Sequence, residues 1–467
     1  MTHATPGPRR AQFPDLFRSL VLDPELILDR ALTVDHLAAA VAREAGRTCD
    51  RVLTPLVTLA TFLAQVLSDD HSCRAAVARL KAYLTARGLP ACSLATGGYC
   101  KARQRLPEAL LPRLVRDTAD RLQDGAPGGW LWHGRRVVIV DGSSVSMPDT
   151  PENQAEYPQH FRQKPGCGFP IARVVVLLSL ATGAVIDLAM ARWAGKLTGE
   201  NALLRGLRGR LRRGDVLLAD SYYCSYQEVA ALLAAGVDVV MRQHGGRKTD
   251  FRRGQRLGRE DHLVRWQRGR IRRPWMSPAE FRRLPRELVL RESRVRVDKP
   301  GFRSRSFVVV TSLLDPAAFP PAELAAAYRR RWDAELDIRN LKQTMRMDVL
   351  RCKTPGMVRK EVFAHLLVYN LVRGVMAEAA ARHGAAPRRL SFQGARQVLD
   401  GFRPELARAA PGRAEALRCA ALGVIAGERV GDRPDRVEPR ARKRREKMYP
   451  RLQVPRREAR RRLMGAS

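Results

Sequence analysis

The spacing of apolar residues divides the chain into a helical beginning and a strand-rich middle. Up to about residue 125, Leu, Ala and Val recur at helical spacing, as in Leu53 to Leu67 and Cys73 to Leu84. Side chains three and four residues apart share one face of a helix, so this pattern predicts a helical N-terminal region. Its basic segment Tyr99 to Pro107 fits either a phosphate contact or a solvated helix face.

From Arg136 the pattern changes to short runs rich in β-branched residues. These runs are Val137 to Val140, Ala172 to Leu180, Ala184 to Ala191, Val216 to Ala219 and Val237 to Met241. Runs of this kind are typical of strands, and their continuous apolar character indicates burial on both faces. Helical stretches at Glu200 to Leu211 and Tyr226 to Ala235 alternate with the later runs. The order predicts an α/β fold with a mixed sheet flanked by helices.

A basic region at 243–312 interrupts this alternation and contains further strand-like runs, Leu288 to Val297 and Ser306 to Thr311. We interpret it as a β-rich insertion. After it, Pro321 begins a predicted long helix through Met345, and Met357 to Arg382 forms another. Apolar residues on these helices predict that both pack on the sheet.

These changes in pattern predict five regions. They are a helical N-terminal region (1–125), the first part of an α/β core (126–242), the β-rich insertion (243–312), the second part of the core (313–390) and a basic C-terminal region (391–467). The last region is rich in cations from Arg436 to Lys447 and again from Arg451 to Arg462. Such runs are typical of mobile phosphate-binding tails.

The charge of the chain indicates a polyanionic partner. There are 84 Lys and Arg residues against 47 Asp and Glu residues, a formal net charge of +37. This excess is far beyond what solubility requires and favours nucleic acid. No uninterrupted apolar run reaches the ~18 residues that a membrane-spanning helix needs, and the N-terminus lacks a signal-peptide core, so we expect a cytoplasmic protein without a membrane partner. The eight cysteines show no paired C-x-x-C spacing, which indicates neither a disulfide framework nor a zinc site.

Three carboxylates stand out against this background. Asp141 directly follows the apolar run that begins at Val137, and Asp220 directly follows the run that begins at Val216. Glu335 lies within the predicted helix that begins at Pro321. Carboxylates brought close together repel one another, so they persist by taking up protons or by binding hard cations. At neutral pH the expected cation is Mg²⁺, which keeps open positions for phosphate oxygens. The substrate implied is a phosphate ester.

The helix that carries Glu335 adds a second pattern. At ~100° per residue, Tyr328, Arg331, Glu335 and Lys342 share a stripe ~60° wide, whereas Asp337 falls on the face expected to be solvated. A simpler interpretation is a surface ion pair between Arg331 and Glu335, four residues apart. For the two aspartates the simpler interpretation is a turn or cap, since Asp followed by Gly or Ser is common there.

On these residues the chain resembles DDE transposases of the insertion-sequence-4 family. Their signature is a Tyr, two residues, Arg, three residues, Glu, six residues and Lys, matched by Tyr328, Arg331, Glu335 and Lys342. Asp141 with Gly142 is similar to the family's first catalytic position. Asp220 is similar to the second, and the resemblance covers about residues 130 to 375.

The resemblance implies an RNase H-like fold with a β-rich insertion between the second Asp and the Glu. It implies that Asp141, Asp220 and Glu335 are catalytic and hold two Mg²⁺ or Mn²⁺ ions. Tyr328, Arg331 and Lys342 would contact the DNA. Family members that form a hairpin stack a flipped base on an insertion-domain Trp, for which Trp275 and Trp266 are candidates.

The function implied is cut-and-paste DNA transposition. A homodimer would bind double-stranded DNA at the element's terminal inverted repeats, cleave it and join it to target DNA. The alternative is a domesticated or inactive relative that only binds DNA. A rolling-circle enzyme is disfavoured, because no two of the nine histidines lie within two positions of each other.

Overall fold

The computed structural model describes residues 12–21, 33–45, 52–90, 92–296, 306–431 and 451–465. They form two compact units. One comprises 1–134, 181–187 and 337–430, and the other comprises 135–180, 188–336 and 431–467. The predicted tail from Arg436 to Lys447 lies outside the described residues, whereas Arg456–Leu463 is a short helix.

The described residues contain sixteen α-helices and nine β-strands. The helices are α1 (Phe13–Leu20), α2 (Val34–Ala45), α3 (Pro55–Leu67), α4 (Cys73–Ala86), α5 (Gly97–Arg105), α6 (Leu110–Asp124), α7 (Pro151–Glu156), α8 (Glu200–Leu207), α9 (Tyr226–Ala234), α10 (Pro278–Arg283), α11 (Pro321–Arg329), α12 (Asp333–Arg339), α13 (Pro355–Arg382), α14 (Phe392–Arg408), α15 (Pro411–Gly427) and α16 (Arg456–Leu463). The strands are β1 (Val137–Ser146), β2 (Ile171–Ser179), β3 (Val185–Arg192), β4 (Val216–Ala219), β5 (Asp238–Arg242), β6 (Gln255–Gly258), β7 (Asp261–Gln267), β8 (Glu287–Arg296) and β9 (Ser306–Thr311).

The first unit is helical, as the apolar spacing predicts. Helix α3 begins where the Thr54 hydroxyl accepts a hydrogen bond from the backbone N–H of Val57, and a proline occupies the first turn. Both features favour a helix start, because they suit backbone groups that have no partner within the helix. From Val57 to Leu67 every residue of α3 is buried. Within this unit α3 packs against α13, as does α6.

Helix α13 forms the centre of the first unit. It is 28 residues long and buried along almost its whole length. By length and composition alone it could cross a membrane, with a mean hydropathy of 1.2, but that apolar stretch is fully buried inside the protein. A helix that is buried on all sides is also what the core of a large domain requires.

A nine-stranded sheet lies in the second unit, apart from the start of β3. The strand order is β3-β2-β1-β4-β5-β9-β8-β7-β6. Strand β1 runs antiparallel to β2 and parallel to β4, and β4 runs parallel to β5. This mixed sheet with flanking helices has the RNase H-like arrangement, so the predicted fold class is confirmed.

The β-rich insertion extends this sheet. Strand β9 pairs antiparallel with β5, and β8, β7 and β6 follow outward. A fully buried ion pair lies inside the insertion, where an Arg291 Nη2 is 2.6 Å from Asp261 Oδ2. The Trp266 indole donates a hydrogen bond of 2.8 Å to Glu292. These contacts fix β7 against β8, so the insertion adds strands to the edge of the core sheet.

The predicted helix from Pro321 to Met345 is wrong in one respect, because it is not a continuous α-helix. A 3₁₀ turn at Arg330–Trp332 separates α11 from α12, and a π-helical segment at Asn340–Thr344 follows α12. Each change of helix type shifts the face on which later side chains lie. Asp337, expected on the solvated face, is fully buried.

Candidate catalytic site

Asp141 lies in the middle of a strand. The sequence suggests that it closes its apolar run, but β1 continues to Ser146, and Asp141 is the antiparallel partner of Val176. The turn interpretation of Asp141 is therefore wrong. Strand β1 is paired with β4 only from Val137 to Ile139, so Asp141 lies just beyond the end of β4.

Asp220 directly follows β4, and the register of the two parallel strands relates it to Asp141. Ile139 pairs with Leu218, so continuing that register by two residues places Asp220 opposite Asp141. Neighbouring strands lie about 4.8 Å apart, and residues two apart point to the same face. Asp220 also accepts a 2.8 Å hydrogen bond from the backbone N–H of Tyr222, which orients its carboxylate.

Arg331 forms ion pairs with both Glu335 and Asp141 and so links the two carboxylates. One guanidinium nitrogen of Arg331 lies 3.6 Å from Asp141 Oδ2, and another lies 3.0 Å from Glu335 Oε1. The Glu335 side chain is exposed, whereas only 11% of the Arg331 side chain is accessible. The predicted pair between Arg331 and Glu335 is thus present, but it is part of a bridge to the central strand.

The site is electrostatically unusual. Burial raises the pKa of Asp141 from 3.8 to about 6, against the opposing effect of Arg331, and the charges of Glu335 and Asp220 add to the rise. Tyr328 is buried beside Phe307, with ring centroids 5.1 Å apart. Burial raises the pKa of its phenol to about 12. The pKa of a carboxylate at a functional site is often shifted in this way, since burial disfavours its charge.

The donor atoms suit a hard divalent cation. Among the residues that the structure describes, no three His, Cys, Asp or Glu side chains converge as a metal-ligand set. The positive charge of Arg331 lies between two of the carboxylates. Carboxylate oxygens are the ligands that Mg²⁺ prefers. The chemistry of these donor atoms therefore fits such a cation.

The structure also brings a fourth carboxylate to this site. Glu200 is the first residue of α8, and its carboxyl group lies against the backbone of Gly142, next to Asp141. The sequence predicts the helix at Glu200, but nothing in the spacing connects that residue with the two aspartates. An acidic first residue is common in helices because it complements the helix dipole, so the signal by itself is weak.

Two other residues that the sequence predicts as DNA contacts, Lys342 and Trp275, lie on elements that carry none of these carboxylates. Lys342 is half-buried in the π-helical segment and belongs to the helical unit, whereas Glu335 belongs to the sheet unit. Trp275 lies under the guanidinium of Arg205, which is 3.9 Å from the ring centroid. Trp266, the other candidate for base stacking, is buried in β7 with only 1% of its surface exposed.

The basic segment near residue 100 is partly internal. Arg103 is buried in α5 and lies over the rings of Tyr99 and Phe62. It also donates a 3.1 Å hydrogen bond to the Cys73 sulfur. Arg103 is therefore a core residue of the helical unit, while Lys101 and Arg105 in the same helix are exposed.

Fold and site together define a class. An RNase H-like sheet carries aspartates at matching positions of two parallel strands, and a later helix supplies a glutamate. This is the arrangement that the resemblance to DDE transposases implies.

The comparisons identify the family. A family model described as "Transposase DDE domain" matches residues 132–371, just over half of the chain. The chain belongs to the DDE transposases, in the family of insertion sequence 4.

Two curated relatives come from Escherichia coli (strain K12). The chain is 29% identical over 366 residues to "Transposase InsG for insertion sequence element IS4", which covers 76% of this chain and 78% of that protein. It is 26% identical over 136 residues to "Putative transposase InsZ", covering 28% of this chain and 44% of that protein. A solved structure titled "Cryo-EM structure of piggyBac transposase synaptic complex with hairpin DNA (SNHP)" matches with 11% identity, 92% and 90% coverage of the two chains and a TM-score of 0.41.

Proposed function

We propose that this transposase binds the ends of an insertion sequence, cleaves the DNA there and transfers the strand to target DNA. The observation that supports this most is the register of β1 and β4, which puts Asp141 and Asp220 at matching positions beside each other. Glu335 joins them through the Arg331 bridge. The membership of the DDE transposases supports the same reaction, since the matched domain contains all three residues.

Asp141, Asp220 and Glu335 would hold divalent cations, with two Mg²⁺ or Mn²⁺ ions expected. Such ions act as Lewis acids at a phosphodiester and stabilise charge on the attacking and leaving oxygens. The protein's own residues supply the binding and positioning. Arg331, once released from the carboxylates, is placed to pair with a phosphate near the cleaved bond, since guanidinium groups bind phosphates in two-pronged fashion. Tyr328, which interacts with Arg331, would contact the DNA at the same phosphate.

Lys342 and Trp275 are the other two proposed DNA contacts. Lys342 would pair with a phosphate farther along the same strand. The Arg205 guanidinium now covers one face of the Trp275 ring, with its central carbon 3.9 Å from the ring centroid. Trp275 would stack on an unpaired base if that guanidinium moved off the ring. The net charge of +37 supports a DNA partner with many phosphate contacts.

The remaining elements of the proposal concern organisation. We propose that the helical region 1–125 contributes to DNA binding, that the core consists of 126–242 and 313–390, and that 243–312 and 391–467 are the insertion and the basic C-terminal region. Cleavage of both ends of an element requires two sites, which favours a homodimer on DNA. A bacterial transposase works on chromosomal DNA, so the proposed location is the cytoplasm.

A cleavage assay with the element's own ends tests the proposal. The DNA that flanks the gene is first searched for short terminal inverted repeats, which supply the substrate. We expect the protein to cut these ends only with Mg²⁺ or Mn²⁺, and D141N to bind them without cutting. The control D149N removes the same charge from an exposed residue of the same unit and should cut normally. Metal-independent cutting, or full activity of D141N, contradicts the proposal.

The same assay separates the alternative of an inactive DNA-binding relative. That alternative predicts specific binding of the repeats with no cleavage by the unmodified protein in either metal.

A further inference from the structure

Glu200 lies closer to the catalytic strand than its place in the sequence suggests. It begins α8, directly after the helix cap Gly199. A Cβ atom added to Gly142 would lie 2.5 Å from the carboxyl carbon of Glu200 and 2.7 Å from each of its oxygens. Such distances are below contact, so any larger residue at this position would displace the carboxylate of Glu200. Gly142 follows Asp141 directly and lies within β1, where its use is space and not a turn.

A second residue holds Glu200 in this position. The Tyr223 hydroxyl donates a 3.3 Å hydrogen bond to Glu200 Oε2. Tyr223 is 1% exposed, lies three residues after Asp220 and is within reach of the charge of that aspartate. Burial raises the pKa of Glu200, and the charge of Asp220 adds to that rise, which is consistent with their closeness. The carboxylate is thus supported from the loop that carries Asp220 and lies against the strand that carries Asp141.

This placement is not accounted for by helix capping alone. Glu152 occupies the first turn of α7 in the same unit and is exposed. Glu200 instead is half-buried and is oriented by a buried phenol. Gathering a further negative charge next to two aspartates is unfavourable unless positive charge is supplied there. Arg173 supplies some positive charge, since it lowers the pKa of Glu200. Its effect on that pKa is smaller than the opposing effect of burial.

We propose that Glu200 is a fourth acidic ligand of the cation site, binding a divalent ion directly or through a water molecule beside Asp141 and Asp220. Tyr223 is its positioning residue, and Gly142 provides the space. The inference rests on the proposed metal-dependent function. It goes further because it assigns a cation ligand in addition to Asp141, Asp220 and Glu335.

Metal binding by the full-length protein without DNA is the direct test. Mn²⁺ affinity is measured by calorimetry and by the loss of the free-ion electron paramagnetic resonance signal. We expect E200Q to weaken Mn²⁺ binding at least ~10-fold, as loss of a ligand or its support usually does. E152Q makes the same charge change in the first turn of α7 and should bind Mn²⁺ like the unmodified protein.

Two further variants keep the test decisive if E200Q folds poorly. Y223F removes the hydroxyl that orients Glu200 and should weaken Mn²⁺ binding by a smaller factor. G142A places a methyl group where the carboxylate lies and should weaken it about as much as E200Q. Circular dichroism establishes that each variant is folded. If folded E200Q, Y223F and G142A all bind Mn²⁺ as the unmodified protein does, Glu200 is only a helix-start residue and the inference is overturned.

The outcome is separable from that of the proposed function. If the unmodified protein cuts its element's ends with Mn²⁺ and D141N does not, the proposed function stands whatever Glu200 does. In that case unchanged Mn²⁺ affinity in the folded Glu200 variants overturns only the inference. If instead the unmodified protein neither binds Mn²⁺ nor cuts DNA, the proposed function fails first.

Discussion

The guanidinium of Arg331 bridges Asp141 and Glu335, with nitrogens 3.6 Å and 3.0 Å from the respective carboxylate oxygens. A cation bound by these carboxylates would have to compete with that guanidinium. In the DNA-free protein Arg331 therefore acts as an internal counter-ion. Its release would link metal binding to phosphate binding, because the freed side chain would then be available to the DNA.

The first prediction concerns this competition. R331Q removes the internal cation, so Mn²⁺ should bind more tightly to the DNA-free protein, by a factor of about 5 to 30, since an ion pair of this partly buried kind contributes roughly 1 to 2 kcal/mol. Calorimetry with Mn²⁺ measures the change. End cleavage should nevertheless fall, because the phosphate contact of Arg331 is lost.

The control is R330Q in the neighbouring position. Arg330 pairs with Asp333 at 3.4 Å on the exposed side of the helical segment. Its loss should leave Mn²⁺ affinity unchanged. Weaker Mn²⁺ binding in R331Q would show that Arg331 supports the metal site and does not compete with it.

A second prediction uses the raised pKa of Asp141. A folded-state pKa of about 6 against an ordinary 3.8 means that the folded protein favours the protonated carboxyl. This contribution to stability is complete below pH 3.8 and is lost as the pH rises through about 6. At ~1.4 kcal/mol per pKa unit, ionised Asp141 destabilises the metal-free protein by on the order of 2 to 3 kcal/mol.

The measurement is the melting temperature in EDTA as a function of pH. D141N should melt higher than the unmodified protein at pH 8, and the difference should shrink towards pH 4. At pH 8, excess Mg²⁺ should remove most of the difference in melting temperature. The reason is that the cation stabilises ionised Asp141, which only the unmodified protein has. A difference that does not change between pH 4 and pH 8 would contradict the prediction.

The sequence predicts the core sheet well because its strands are buried on both faces. The apolar runs that contain Val137, Ala172 and Val216 each became a strand, since few other structures bury every residue of so short a run. The end of β1 was harder to predict. Asp141, Gly142 and Ser143 have the composition of a turn, but β2 continues to pair with them and keeps the chain extended.

Glu200 was missed for a different reason. Its approach to Gly142 depends on the packing of α8 against β2, a contact between elements that no local spacing encodes. The helical stripe of Tyr328, Arg331, Glu335 and Lys342 was predicted for a regular α-helix. The 3₁₀ turn at Arg330–Trp332 and the π-helical segment at Asn340–Thr344 change its phase. Tertiary packing decided these irregularities.

A third prediction concerns Asp337, which a regular helix would have placed on the solvated face. Asp337 is fully buried, and its carboxylate pairs with Arg373 at 2.5 Å and with Arg388 through its other oxygen. The Tyr369 hydroxyl donates a further 2.9 Å hydrogen bond to it. D337N should lower the free energy of unfolding by about 3 to 5 kcal/mol, because it leaves buried guanidinium groups without a counter-charge.

Denaturant unfolding measures this loss. D333N is the matched control, since Asp333 lies in the same helix and makes a partly exposed pair. A surface change of this kind should alter stability by less than ~0.5 kcal/mol. If D337N lowers the free energy of unfolding no more than D333N does, the buried cluster around Asp337 does not stabilise the helical unit.

The last prediction concerns two histidines in the helical unit. His71 and His365 pack edge to face with ring centroids 5.7 Å apart. Burial lowers the pKa of each from 6.5 to about 4. A lowered histidine pKa gives stability that is complete above pH 6.5 and is lost as the pH falls towards 4, because the unfolded chain takes up the proton first. Each histidine should therefore cost up to roughly 3 kcal/mol on acidification across that range.

H365Q should flatten this dependence. Unfolding free energies at pH 7.5, 6, 5 and 4.5 are compared for the unmodified protein, H365Q and the control H383Q, whose histidine is exposed. H365Q has one fewer buried base to protonate, so its stability should fall less between pH 6.5 and 4.5, even if it is lower at pH 7.5. H383Q should keep the full slope. An equally steep acid loss in H365Q would mean that other groups cause it.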